Sequence, residues 1–303
     1  MILSIIICTH NRRDLLKLAL NSLQRQTKTG YELIVVDNNS TDHTRELVLN
    51  FIIENVDINY FFETNVGLSY ARNRGVVEAK GEYLAYIDDD CILPENWVAS
   101  VYEIIESSKS KIFGGPVFPF YVEQKPKWFK DDYQTFSFGN EPIFLSKTNT
   151  VFGGNMVIAN EVFAKIGDFN TSLGMIGQKV MYSEETDFQL RYLSETNDTK
   201  IFYEPKLFVF HYVRPEKFEL FWNIKSFMGK GKSNYHAKAQ KFNLNKSKVF
   251  ISLIIQSLKL IYFFSIGSFL RNRGRYPFYQ NYIIERVKPH LKKYGFLIAQ
   301  FQN

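Results

Sequence analysis

Apolar residues fall in short unbroken runs separated by helix-spaced segments, and this alternation predicts an α/β domain. Residues 3–8 form an aliphatic run of the kind found in a strand covered on both faces, and residues 14–26 then set Leu16, Leu20 and Leu23 at helical spacing. A second run covers 31–36; Ser40 is the expected N-cap of a helix carrying Leu47, Val48, Phe51 and Ile52, and 58–62 reads as a third strand. A helix over 67–80 leads into a fourth strand at 83–87. The rhythm implies an open mixed, largely parallel sheet flanked by helices, with ligands bound beyond the carboxyl ends of its strands. Function is therefore expected just after Cys8, Val36, Phe62 and Ile87.

After a helix near 94–107, regularity falls off through 113–149, a stretch rich in aromatics, Lys, Pro and Gly that is expected to wrap the site. Residues 151–159, 161–166 and 184–194 make a second cluster of elements. The division expected is one large domain over 1–215, in two parts (1–110 and 111–215), followed by a helical extension over 216–303. Within that extension 249–270 is an apolar segment of about 22 residues, nominally long enough to cross a bilayer. Asn245, Lys248, Ser252, Gln256 and Lys259 recur along it at steps of three and four, making a polar stripe. Lys259 would be costly at the centre of a lone spanning helix, so the favoured reading is a helix lying in the interface beside Lys246, Arg271, Arg273 and Arg275. A core helix and a spanning helix are the alternatives.

At 303 residues, 45% hydrophobic and 22% charged, the chain has the composition of a folded domain. Its net charge of +6 comes from 37 basic against 31 acidic residues and does not mark a nucleic-acid binder. The distribution says more: 225–248 holds Lys225, Lys230, Lys232, Lys238, Lys241, Lys246 and Lys248 with no carboxylate, which suits anionic headgroups. Cys8 and Cys91 make neither a disulfide framework nor a zinc site and imply a reducing compartment. Residues 1–8 lack a basic start and a cleavage site, so they read as the first core strand rather than a secretory signal. Together these place the chain in the cytoplasm, peripheral at the inner face of the cell membrane.

The sharpest chemical feature is Asp88-Asp89-Asp90, directly after the fourth strand. Adjacent carboxylates repel, and at the ligand end of a sheet a divalent cation such as Mn2+ or Mg2+ would balance them while bridging diphosphate oxygens. The plain alternative is a solvated acidic turn before a helix. The other strand ends agree with the metal reading. Thr9, His10, Asn11 and Arg12 offer donors suited to diphosphate and ribose oxygens, Asp37 offers an acceptor for a base or ribose, and Asn65, Gly67 and Arg72 add close backbone approach and a second guanidinium. No G-x-G-x-x-G follows a strand and no G-x-x-x-x-G-K-[ST] occurs, which argues against dinucleotide and P-loop chemistry.

The motifs SIIICTHNRR (4–13), LIVVDNNSTD (33–42), NVGLSYARNRG (65–75), YIDDD (86–90), GGN (153–155), GDF (167–169) and EETDFQLR (184–191) together resemble family 2 glycosyltransferases of the GT-A fold, in that family's order. The resemblance implies an inverting, metal-dependent enzyme. It puts Asp37 on the nucleobase, with Thr9, Asn11 and Arg72 on the nucleotide and Asp88, followed by Asp89, at the ribose or metal. Asp90 and His211 would hold the metal, and Gly153, Gly154 and Asn155 would shape the sugar pocket. The family's Glu-Asp pair corresponds to Glu184-Glu185, a departure that leaves Glu185 as the expected base and Glu184 or Asp187 able to share the task. The mechanism implied is direct displacement, with Arg72 or Arg12 helping to absorb leaving-group charge. The donor is a nucleoside diphosphate sugar, with a preference for uridine, and the acceptor a hydroxyl of a glycan or lipid-linked glycan in cell-surface polysaccharide synthesis. The rivals are a sugar nucleotidyltransferase, whose Gly-rich activating loop is missing from 8–13, and a non-catalytic sugar-nucleotide-binding subunit, which would need no base.

Overall fold

The computed structural model describes residues 1–175, 183–195, 200–236 and 245–302. The chain divides into two compact units: residues 1–120, 134–172 and 184–212 form the first, and 121–133, 173–183 and 213–303 the second.

In the first unit the expected alternation is present: β1 (Leu3–Thr9), α1 (Arg13–Gln24), β2 (Tyr31–Asp37), α2 (Thr44–Leu49), β3 (Asp57–Phe62), α3 (Leu68–Glu78) and β4 (Tyr83–Asp88). Ser40 does not cap α2. His43, at φ 62°, precedes that helix without a side-chain bond, and the Ser40 hydroxyl accepts instead from the Asn11 N–H at 2.9 Å. Phe51 and Ile52 fall beyond the end of α2, and Ile52 is exposed. After β4 come β5 (Cys91–Ile92), α4 (Trp97–Ser108), β6 (Ile112–Gly114), β7 (Val117–Phe120), β8 (Ile143–Phe144), β9 (Asn155–Ala159), α5 (Glu161–Ile166), α6 (Glu184–Glu195), β10 (Ile201–Tyr203) and β11 (Val209–Tyr212).

The main sheet has eight strands in the order β3-β2-β1-β4-β9-β6-β10-β8, and β5-β11-β7 form a small second sheet. β1 through β4 are mutually parallel where they pair, so Thr9, Asp37, Phe62 and Asp88 end on one edge. β9 enters antiparallel to β4 with Asn155 opposite Ile87, which brings its start to that same edge. β1 and β2 are buried on both faces, as their aliphatic runs require. The segment 113–149 contains strands of two to four residues, too short to leave a period in the sequence.

The second unit contains α7 (Leu220–His236), α8 (Lys246–Phe264), α9 (Ile266–Phe269), α10 (Tyr279–Tyr282), a π-helical turn over Ile283–Val287, and α11 (Lys288–Gln302). α7 and α11 touch backbone to backbone, because a Cβ on Gly231 would overlap the Lys292 carbonyl and one on Gly295 the Met228 carbonyl. Gly295→Leu is therefore expected to cost about 3 kcal/mol or more and to unfold this unit first, which limited proteolysis during a thermal ramp would register.

Candidate functional site

β1 pairs with β2 on one side and with β4 on the other, so the strand order reverses there and opens a crevice beyond the strand ends. Cys8 stands in register with Asp88, and the loops that follow face each other across that crevice. The Thr9 hydroxyl donates to Asp89 Oδ2 at 2.7 Å, while Arg12 Nη1 donates to Asp89 Oδ1 at 3.0 Å and Asp90 Oδ2 at 3.3 Å. The antiparallel pairing of β5 with β11 puts His211 opposite Cys91, and the Tyr212 N–H donates to the Asp90 carbonyl at 2.9 Å. His211 Nε2 consequently lies 3.2 Å from Asp90 Oδ1 and 4.0 Å from Asp88 Oδ2, with the Phe152 ring meeting the imidazole edge-on at 5.6 Å.

α6 adds Glu184, Glu185 and Asp187 in its first turn, where the helix dipole favours carboxylates. Arg72, buried in α3 against the Tyr86 and Phe169 rings, donates to Glu184 Oε1 at 2.7 Å and lies 3.7 Å from Asp88 Oδ1. Gly153 and Gly154 close the gap between the two acidic groups. A Cβ on Gly154 would overlap the Asp88 carboxylate, and one on Gly153 would come within 2.9 Å of Glu185 Cγ and 3.0 Å of Arg72 Nη2. Gly154→Ala should push Asp88 aside and slow turnover about 100-fold while the circular dichroism spectrum is unchanged, since ångström-scale misplacement carries losses of that order.

Burial pushes the Asp89 carboxyl up to about 6 against the pull of Arg12, and it raises Asp88 against Arg72. Burial, with Glu185 adding, pushes Glu184 up to about 8. Asp88, Asp89, Asp90, Glu184 and Glu185 are thus set against the two guanidiniums of Arg12 and Arg72, and either protons or a cation must make up the difference. Ligand atoms of Asp88, Asp90 and His211 all lie within 4.8 Å of one another and could hold a metal ion. Two carboxylates and an imidazole are a donor set better suited to Mn2+ than to Mg2+, which favours oxygen alone. A raised carboxyl binds its proton in the folded chain at pH values where the unfolded chain has lost it, so its contribution disappears as pH rises through the folded value. With chelator present, Glu184 should make thermal stability fall between pH 4.5 and about 8; each kcal/mol lost moves the midpoint by about 2–4 °C, and Glu184→Gln should flatten the profile.

Around the second strand end, Asp37, 1% exposed, accepts from the Tyr60 hydroxyl and the Ser40 N–H, each at 2.8 Å. Asn11 Oδ1 accepts from the Thr41 N–H at 2.7 Å and ties the first loop to the second. Asn38, for which the sequence alone suggests no role, staples the second loop to the third. It donates to the Asn65 carbonyl and accepts from the Gly67 N–H, both at 2.7 Å. Asn65 itself donates to Glu63 Oε1 from both its backbone and side-chain nitrogens. His10 Nδ1 sits 2.6 Å from the Asn38 carbonyl, a structural contact.

Three candidates are engaged elsewhere. Asn155 is fully buried: it accepts from the Trp97 indole at 3.1 Å and donates to the Leu207 and Pro116 carbonyls at 2.7 and 3.3 Å, so its amide holds the core together rather than facing a sugar. Arg72 is buried and pairs with Glu184 and Asp88, which it positions. Asp187 pairs with Arg191 at 3.0 Å, and Arg191 is anchored on the Ile166 and Asp168 carbonyls.

Residues 4–167, more than half of the chain, match the family described as Glycosyl transferase family 2. A glucosyl-dolichyl phosphate glucuronosyltransferase of Haloferax volcanii is 25% identical over 228 residues, covering 73% of this chain and 72% of that protein. A GalNAc(5)-diNAcBac-PP-undecaprenol beta-1,3-glucosyltransferase of Campylobacter jejuni is 33% identical over 114 residues, 37% of each chain. Among solved structures, S. aureus TarS 1–349 in complex with UDP-GlcNAc superposes with a TM-score of 0.56 at 17% identity, covering 99% of this chain and 90% of that one. The Pyrobaculum calidifontis mannosyltransferase PcManGT, in complex with GDP-Man and Mn2+, gives 0.59 at 15% identity, with 98% and 74% covered. The chain spans about half (49%) of the longer TarS chain, and at 15–17% identity these neighbours establish a common fold and no more.

Proposed function

The chain belongs to glycosyl transferase family 2, and from that premise we propose that it moves a sugar, with inversion, from a nucleoside diphosphate sugar to an acceptor hydroxyl. The donor proposed is a uridine diphosphate sugar. The acceptor is a glycan or lipid-linked glycan of cell-surface polysaccharide synthesis, reached at the inner face of the cell membrane, where the extension over 216–303 keeps the enzyme peripheral. The lipid carriers in the names of the Haloferax and Campylobacter relatives support that acceptor class.

One observation carries the reading: Asp88, Asp90 and His211 converge across the crevice, with the Glu184-Glu185 pair linked to them through Arg72. Asp88, Asp90 and His211 would hold Mn2+, which supplies Lewis acidity toward the leaving diphosphate. Glu185, half-buried beside Gly153, takes the acceptor proton, while Glu184 is held by Arg72 and orients its neighbour. Arg12, part-exposed at the crevice, fixes Asp89 and Asp90 and adds positive charge where the diphosphate departs. Asp37 receives the base or ribose.

The test is release of nucleoside diphosphate from a panel of nucleotide sugars with manganese. Release from a uridine diphosphate sugar that stops with EDTA is the expected result; binding without release from any donor would instead support a non-catalytic subunit.

A further inference from the structure

α8 is built inside out. The polar stripe noted in the sequence borders the side that packs on the protein, and Gln256, in that stripe, is only 2% exposed. Its amide nitrogen donates to the His290 carbonyl at 3.1 Å and lies 3.1 Å from His290 Nδ1. Val249, Leu260 and Phe263 are buried on the same side, with the Phe263 ring 4.5 Å from the His290 ring. At about 100° per residue, Phe250, Ile251, Ile254, Leu258, Ile261 and Tyr262 fall in an arc of about 120° on the opposite side. All six are exposed, Leu258 to 61% and Ile261 to 64%. The apolar surface runs on past the helix to Phe269 and Leu270, exposed to 82% and 67%.

We infer that this outward face of α8 is a membrane-insertion surface that lies in the plane of an anionic phospholipid leaflet. The inference rests on the peripheral location proposed above and names the residues responsible. The charges are arranged for headgroups: Lys248 and Lys259, both exposed, lie together along one edge of the apolar arc, and Arg273 and Arg275 stand exposed just beyond its end. A second copy of the chain docking antiparallel on the same face would bring the two lysine edges together, which like-charge repulsion opposes. The 24-residue stretch Lys246–Phe269, whose most apolar 18 residues have a mean hydropathy of 2.0, is long and apolar enough to cross a bilayer. Crossing would leave Lys259 among acyl chains and strip the Gln256 side from its protein partners, whereas lying in the interface keeps both satisfied.

The test uses the full chain, without donor or acceptor, so that it does not depend on sugar transfer. Phosphatidylcholine vesicles containing phosphatidylglycerol should sediment the protein, more weakly at high salt, and alkaline carbonate should release it. Ile254→Lys, Leu258→Lys and Ile261→Lys together should lower partitioning at least about tenfold with no change in the circular dichroism spectrum. Leu258→Trp, which reports even if the lysine variant folds badly, should add emission that brominated acyl chains quench. Undiminished binding of the folded lysine variant, or an unquenched Trp, would overturn the α8 surface while leaving a peripheral location intact. Absence of binding to any vesicle would overturn both. Retention through carbonate would show a spanning helix, and a dimer that the lysine substitutions dissociate would show a protein partner; either result contradicts the inference.

Discussion

Asp90→Ala is expected to abolish sugar transfer and divalent-metal dependence together, with a loss of at least about 1,000-fold in kcat. Asp90 is buried and serves three groups at once: Arg12 Nη1 at 3.3 Å, His211 Nε2 at 3.2 Å and, through its carbonyl, the Tyr212 N–H at 2.9 Å. Removing its carboxylate takes away one of the three converging ligands and releases the imidazole of a second. The backbone contact to β11 is kept, so the sheet should survive. Initial rates over a manganese titration, paired with a thermal melt, check the prediction. Transfer that persists, or that still needs metal, would remove Asp90 from the ligand set.

Glu185→Gln should lower kcat by about 100- to 10,000-fold, the range over which a positioned base contributes, while donor affinity measured by calorimetry stays within a few-fold of the parent. The amide is nearly isosteric and cannot accept the proton. Glu184→Gln tests the other member of the pair through a different signature. Because Glu184 is held by Arg72 at 2.7 Å, its loss should disturb both KM and kcat by misplacing Arg72 and Asp88, instead of removing the chemical step alone. If Glu184→Gln were the more damaging to kcat and left KM untouched, the assignment of the base would pass to Glu184.

The strand ends were legible in the sequence because strands buried on both faces leave unbroken aliphatic runs, and the residues that follow such runs in an α/β sheet face the ligand. Thr9, Arg12, Asp37 and Asp88 could be located from that pattern alone. Asn155 could not, because what buries it is distant in sequence: Trp97, Pro116 and Leu207 reach it from three separate segments. The same holds for Asn38, whose neighbours read as an ordinary turn until β3 is laid beside β2. In α2 the local propensity of Ser40 lost to a competing partner, the Asn11 N–H. Helical periodicity in α8 gave the angular position of the polar stripe, but which side packs inward was decided by His290, 34 residues further on.

The central claim is a single displacement assisted by one carboxylate. The most direct measurement is the anomeric configuration of the product by NMR, with an α-linked nucleotide sugar as donor and manganese present. A β-linked product is the predicted result, and an α-linked product would contradict the single displacement.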